Sequence, residues 1–287
     1  MLNRFSCPSS ELVLLDVNRA LEEDIGSGDL TAQLLPADGS AHARVITRVP
    51  AIICGQPWFD ACFQSVDAGT QVEWMVEEGS RVAAGTVLCT ISGPARALVT
   101  AERSALNFLQ LLSATATVTS TYVDAVSGTK ATILDTRKTL PGLRQAQKYA
   151  VRVGGGSNHR MGLYDAVLIK ENHITAAGSL RAAVESARAL HANVLIEVEV
   201  ENFSELREAI AAHADRIMLD EFELDDLGRA VSECDGRIPL EVSGGVSLDR
   251  VRMIANTGVD FISIGALTKH VHAIDLSMRI SMTAAQD

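Results

Sequence analysis

From Lys130 onward, short apolar runs alternate with amphipathic stretches, and this rhythm is the clearest structural signal in the chain. The runs are ATILDTRK (131–138), AVLIKEN (166–172), VLIEVEV (194–200), RIMLDEF (216–222), PLEVSGG (239–245) and FISIGAL (261–267). Between them, residues 142–152, 176–191, 203–213, 224–234 and 247–256 carry apolar positions at helical spacing. Near-continuous apolar strands separated by helices predict a parallel sheet covered by helices. Only six runs are clear, so a barrel built from them is irregular rather than the regular eightfold one.

The first hundred or so residues have a different pattern. Residues 11–24 read as a helix that ends at EDIGSGDLT, a turn rich in Gly and Asp. Strand-like pieces follow at 43–49, 71–76 and 86–91, and the turns EEGS and AAG separate the last two. From residue 101, AERSALNFLQLLSATATVTSTYVDAV has helical periodicity and links this layer to the next. The segment QVEWMVEEGSRVAAGTVLCTI has the hairpin pattern of a lipoyl or biotinyl carrier, but no lysine stands in its turn, so it reads as structure.

In the repeating half, the end of each run carries chemistry. Arg137 and Lys138 close the first run, Lys170 the second, Glu199 the third and Asp220 the fourth. Ser243, Gly244 and Gly245 close the fifth, and Gly265 the sixth. The C-terminal ends of parallel strands converge on one face of an α/β barrel, where active sites lie. Six signatures at six equivalent ends are hard to explain as packing.

Charge sharpens that picture. The chain has 25 Lys and Arg against 36 Asp and Glu, a net charge of −11. Between Ile133 and Ile174 the balance reverses: Arg137, Lys138, Arg144, Lys148, Arg152, Arg160 and Lys170 stand against Asp135, Asp165 and Glu171, with His159 and His173 added. A local cationic excess in an acidic protein suits a small polyanion. Nucleic acid would call for a broad basic face, and the aromatic content of 4% supplies few stacking surfaces. Five cysteines without a CxxC pair make a disulfide framework improbable and are expected to be reduced and mostly buried. The run LVLL after MLNRFSCPSS is too short for a leader, and no run approaches the length of a membrane span. A cytoplasmic protein is expected.

Each candidate residue has a plain alternative. Arg137 and Lys138 are adjacent and reach one ligand only if the strand has already given way to a loop; otherwise they are a solvated pair. Arg offers a planar fork for carboxylate, Lys a compact charge. Three glycines before Asn158, His159 and Arg160 let the backbone approach a ligand, or simply form a turn. The apolar run before Lys170 is expected to bury its stem, leaving it to bind an anion or form a Schiff base. Glu199 and Asp220 suit Mg²⁺ beside phosphates, or one of them pairs with a cation of the basic stretch, and Glu197 shares the face of Glu199. Ser243-Gly244-Gly245 before a helix is a plausible phosphate cradle, weak alone and strengthened by Gly265.

Taken together, these segments resemble the quinolinate phosphoribosyltransferase family. The likeness runs in order through EDIGSGDLT, AERSALNFLQLLSATAT, DTRKTLPGLRQAQKYAVRVGGGSNHRMGLYDAVLIKENHI, IEVEVEN, MLDEF, EVSGGV and GVDFISIGALTKH. It implies an α/β fold with an N-terminal open-faced α/β sandwich over 1–115, to which 271–287 return. A C-terminal irregular α/β barrel of six to seven strands over 116–270 completes it. It also implies Mg²⁺-dependent transfer of phosphoribosyl from 5-phosphoribosyl 1-pyrophosphate to quinolinate with decarboxylation, in a homodimer or higher oligomer with shared sites. Carried over by position, Arg103 reaches the neighbouring subunit's quinolinate, and Arg137, His159, Arg160 and Lys170 hold its carboxylates. Lys138 lies between quinolinate and pyrophosphate. Glu199 and Asp220 meet the ribose and metal-pyrophosphate side, while Ser243, Gly244, Gly245 and Gly265 hold the 5-phosphate. Lys138, Lys170, Glu199 and Asp220 are the expected catalytic set. The chain departs from the pattern at Glu221 for Asn, Glu171 for Asp, and LLSATAT for LSGIAT. A same-fold relative using another acceptor, or a Schiff-base lysine enzyme, is the competing reading.

Overall fold

The computed structural model describes residues 5, 7–190 and 193–282. In chain order, α1 (Ser10–Ile25) leads to β1 (Ser40–Thr47), β2 (Ala51–Ile52), α2 (Gln56–Val66), β3 (Gln71–Trp74), β4 (Arg81–Val82), β5 (Val87–Pro94) and the long α3 (Ala95–Ala125). Next come β6 (Thr132–Leu134), α4 (Arg144–Val153), β7 (Ala166–Ile169), α5 (Glu171–Ala177), α6 (Leu180–Leu190), β8 (Leu195–Val200) and α7 (Phe203–Ala211). The chain continues through β9 (Arg216–Leu219), α8 (Leu224–Cys234), β10 (Leu240–Val242), α9 (Leu248–Asn256), β11 (Phe261–Ser263), α10 (Ala266–Lys269) and β12 (Leu276–Met282). It divides into two units: residues 1–120, 140–155 and 270–287, and residues 121–139 and 156–269.

In the first unit, β12, β1, β5 and β3 form an antiparallel sheet in that order. Alternate residues of β1 are buried and exposed, so one face packs while the other is open. Trp58, Phe59 and Phe63 of α2 fill its core with Leu98, Leu109 and Leu112 of α3. The sequence pattern had no element for α2, although Pro57 in its first turn, behind Gly55, is a start signal. The α1 helix begins where expected, capped by the Ser9 hydroxyl. The C-terminal strand β12 pairs with β1 from Ala41–Met282 to Thr47–Leu276, and residues 283–287 lie outside the described ones.

The second unit holds six parallel strands in the order β6-β11-β10-β9-β8-β7. Leu134 adds a one-residue parallel bridge to Ser157 on the other side of β6. Six parallel strands are what the apolar rhythm predicts, within the irregular six- to seven-stranded architecture that the resemblance implies. The strands are shorter than the apolar runs, however. β6 stops at Leu134, β7 at Ile169, β9 at Leu219, β10 at Val242 and β11 at Ser263, so the polar signatures fall beyond their strands, except Glu199, which lies within β8. The helix expected over 176–191 is α6, which begins only at Leu180 because Gly178, at a left-handed φ of 88°, ends a separate α5 before it; residue 191 lies outside the described residues.

The helix expected over 142–152 is α4, but its place differs from the sequence rhythm. Ala146, Tyr149, Ala150 and Val153 join the first unit's core, and the Tyr149 hydroxyl donates to Glu78 at 3.0 Å. Arg144, Lys148 and Arg152 travel with it. The basic stretch is therefore divided between the units. All five cysteines are free thiols, four of them buried. Among the described residues no helix is long and apolar enough to cross a membrane.

Candidate active site

At the end of β6, the fully buried Asp135 carboxylate organises the glycine-rich loop. It accepts from the Asn158 side-chain amide at 2.6 Å and from the His159 backbone N–H at 2.9 Å. The Ser157 N–H donates to Ile133 O and the Asp135 N–H to Ser157 O, lacing the loop to the strand end. Beyond it the chain turns again, with Met161 and Gly162 donating their N–H groups to Asp165. These bonds place His159 and Arg160 at the end of the sheet, beside the Arg137 loop.

Below them is a buried charged cluster. His159 Nε2 lies 2.8 Å from Glu197 and 3.5 Å from Glu241, and its side chain is 8% exposed. Burial disfavours its imidazolium, but the contact with Glu197 and the charges of Glu241 and Glu197 outweigh that and hold its pKa above the usual value. Glu241 is itself pushed up to about 7, first by burial and then by Glu197. Arg216 binds Glu241 at 3.0 Å and stacks on the Phe261 ring, and the Ser263 hydroxyl donates to the same carboxylate. On the upper side, Arg160 donates to Ala166 O at 3.3 Å. Burial and the neighbouring Arg137 charge both lower its pKa. The mutual repulsion of these two guanidiniums favours an anion beside them.

A second cluster lies at the ends of β7, β8 and β9. The Lys170 ammonium meets Glu199 at 2.5 Å. Asp220 is pushed up by burial and by Glu199, while Lys170 and Lys138 pull it back. Expected burial of Lys170 is not found: its side chain is 47% exposed, because β7 ends one residue earlier and Lys170 caps α5 instead of continuing the strand. The two glycine turns close on this cluster. A Cβ on Gly244 would sit 2.9 Å from Asp220 Oδ1, and one on Gly265 would sit 3.1 Å from Lys138 Cδ. Gly244 and Gly245 have φ of 91° and 56°, which open their N–H groups ahead of α9. Thr268 anchors the Lys138 carbonyl at 2.8 Å.

Arg137, Lys138, His159, Arg160, Lys170, Glu199, Asp220, Ser243, Gly244, Gly245 and Gly265 all belong to the second unit, whereas Arg103 is an exposed residue of α3 in the first. Sequence reasoning missed Asp135, Arg216, Glu241 and Ser263. A charge inside an apolar strand, as in RIML or PLEV, is the signal that could have found two of them.

The quinolinate phosphoribosyl transferase N-terminal domain model matches residues 29–113, and the corresponding C-terminal domain model matches 115–279. The chain is 44% identical over 272 residues to the nicotinate-nucleotide pyrophosphorylase [carboxylating] of Mycobacterium leprae, covering 91% of this chain and 95% of that one. It is 40% identical to the probable enzyme of the same name from Bacillus subtilis, with 93% of each covered. The solved nicotinate-nucleotide pyrophosphorylase from Francisella tularensis superposes with a TM-score of 0.93 at 48% identity, over 96% of this chain and 98% of that one.

Proposed function

The chain belongs to the quinolinate phosphoribosyltransferase family, and on that premise we propose how its site works. It transfers phosphoribosyl from 5-phosphoribosyl 1-pyrophosphate to quinolinate, releasing pyrophosphate and CO₂ and giving nicotinate mononucleotide for NAD biosynthesis. The observation that carries this reading is the layout of charge in the second unit. Paired guanidiniums at Arg137 and Arg160 lie on one side. Two lysines, two carboxylates and two glycine turns lie on the other. The first suits a planar dicarboxylate, the second a phosphorylated sugar with a charged leaving group.

In this reading Arg137 and Arg160 grip the carboxylates of quinolinate, with His159 beneath them and Lys170 at the side. Arg103 is contributed by a second copy of the chain in a cytoplasmic homodimer. Ser243, Gly244, Gly245 and Gly265 hold the 5-phosphate by backbone N–H groups. Pyrophosphate leaves the anomeric carbon, whose oxocarbenium-like character is met by attack of the pyridine nitrogen. Lys138 faces the charge that grows on the leaving group, a preorganised electrostatic contribution. Once the nitrogen is quaternised, the ring accepts the electron pair of the departing 2-carboxylate, CO₂ leaves, and C2 takes a proton from solvent. No general base is required.

The donor set also fits Mg²⁺. Burial first and then the charge of Glu199 raise the Asp220 carboxyl, so the two acidic groups disfavour each other's charge, and a hard cation is bound by one or two carboxylates together with substrate phosphates. These two residues would hold it, directly or through pyrophosphate and water, and it would neutralise pyrophosphate charge. A Schiff-base role for Lys170 is disfavoured, because its ammonium is engaged with Glu199 and offers no lone pair.

The test is a pyrophosphate-release assay with 5-phosphoribosyl 1-pyrophosphate and Mg²⁺, with quinolinate and nicotinate as competing acceptors. Turnover with quinolinate alone, with one CO₂ per pyrophosphate, is expected. Turnover with nicotinate alone would overturn the assignment of the guanidinium pair.

A further inference from the structure

The cations that receive the acceptor in this reading come from two separate loops. Arg137 and Lys138 follow β6, whereas His159 and Arg160 follow the three glycines. Their charges oppose one another, since the Arg137 guanidinium lowers the pKa of Arg160. Without an anion beside them, that repulsion pushes the two loops apart. A rigid dicarboxylate needs both loops at one fixed spacing, so a group that ties them together before the ligand arrives would favour its binding.

Asp135 is built for that task. It is the first residue beyond β6, two before Arg137, and its side chain is fully buried, so it presents nothing to a ligand. One carboxylate oxygen accepts the Asn158 side-chain amide at 2.6 Å, and the other accepts the His159 N–H at 2.9 Å. Backbone bonds prepare the join. The Ser157 N–H donates to Ile133 O, the Asp135 N–H donates to Ser157 O, and Leu134 O accepts from Ile264 on the other side of β6. Past Ser157, the Asp135 carboxylate carries the connection on to the two residues that precede Arg160. Both of its bonds have an ionised acceptor and are shielded from water, which makes them stronger than neutral bonds at a surface.

We propose that Asp135 is a positioning residue, whose buried carboxylate clamps the glycine-rich loop to the β6 loop and so sets the spacing of the cations that receive the two carboxylates of the acceptor. This deepens the functional reading above and rests on it for the identity of that acceptor. The clamp is formed on folding, so the ligand does not have to draw two repelling loops together. The phosphoribosyl side of the site takes its groups from other strand ends and is independent of it.

Reversing the polarity of one bond tests the clamp. Asn158→Asp sets two carboxylates against each other where a bond of 2.6 Å stood. The quinolinate KM should rise by at least about tenfold, while the 5-phosphoribosyl 1-pyrophosphate KM stays within about twofold of wild type. Adding Asp135→Asn restores both bonds. The new amide at 135 donates to the new carboxylate at 158, and its oxygen still accepts the His159 N–H. The double variant should return the quinolinate KM to within about threefold of wild type. A double variant no better than Asn158→Asp, or equal losses for the two substrates, would overturn the proposal.

Hydrogen exchange of the wild-type protein without ligand, followed by NMR, covers variants that fail to fold. The His159 amide should exchange at least about a hundredfold more slowly than in an unstructured peptide of the same sequence. Exchange at the peptide rate would sink the clamp. Because this measurement needs no substrate, failure of the enzyme to use quinolinate would count against the functional reading alone.

Discussion

Glu221 sits at φ 57°, a left-handed conformation that costs an ordinary L-residue about 1–2 kcal/mol and that Asn tolerates better. That gives a physical reason for the asparagine the family pattern has here. Glu221→Asn is expected to stabilise the protein by about 1 kcal/mol in urea denaturation, and a loss would show that Glu221 makes a compensating contact. Glycine geometry separates two other positions. Gly244→Ala forces a Cβ against the Asp220 carboxylate at a positive φ, so kcat/KM for 5-phosphoribosyl 1-pyrophosphate should drop about a hundredfold. Gly265→Ala crowds the flexible stem of Lys138, with Thr136 Oγ1 at ordinary contact distance, and should be much milder; equal losses would contradict this reading. Lys170→Ala should lose about two to three orders of magnitude in kcat, and ordinary turnover would refute its place in the site. At this scale the strand-end residues were legible because charge in an apolar context is conspicuous. The exposure of Lys170 was not legible, since it depends on where β7 stops.

Among the elements, β8 to β11 carry a ladder of polar groups: the buried Glu197, Glu241 and Ser263 and the half-buried Arg216. Glu241 titrates at about 7 when folded, against 4.5 as the ordinary value, because burial and Glu197 disfavour its charge. Between those values the folded state holds a proton that the unfolded chain has released. Its stabilising contribution is complete below the lower value and disappears as pH rises through the upper one. Glu241→Gln should therefore flatten the fall of Tm between about pH 4.5 and 7. An unchanged slope would transfer the effect to Asp60 in the first unit, which burial pushes up to about 6 in spite of its bond to Trp74. The α4 helix offers an independent check. Tyr149→Phe removes one donor from the buried Glu78, which still accepts from Gly55 and Gln56, so the cost should be about 1–2 kcal/mol in chemical denaturation. Helical period placed α4 correctly along the chain but could not say which core it joins, because amphipathicity specifies an apolar face and not its partner.

For the whole molecule, the proposal that Arg103 completes the site of a second copy makes a quantitative prediction. Arg103→Ala and Lys170→Ala should each be nearly inactive, yet mixing them under subunit exchange should restore about a quarter of wild-type activity. Half of the dimers are then mixed, each with one intact site. No recovery despite demonstrated exchange would mean that Arg103 acts within its own subunit or not at all.

The sequence by itself determined what local patterning encodes: six apolar runs with helices between them, a polar signature at each strand end, and a cationic segment in an acidic chain. Period and composition are enough for these, and the motif order was enough for the family. Tertiary structure alone decided which residues share an environment. It divided the cationic segment between two units, and it brought Glu241 of β10 and Arg216 of β9 together beneath His159. The physical reason is that a hydrogen bond or charge pair depends on separation in space, and residues 82 positions apart, like His159 and Glu241, have no pattern between them that records it.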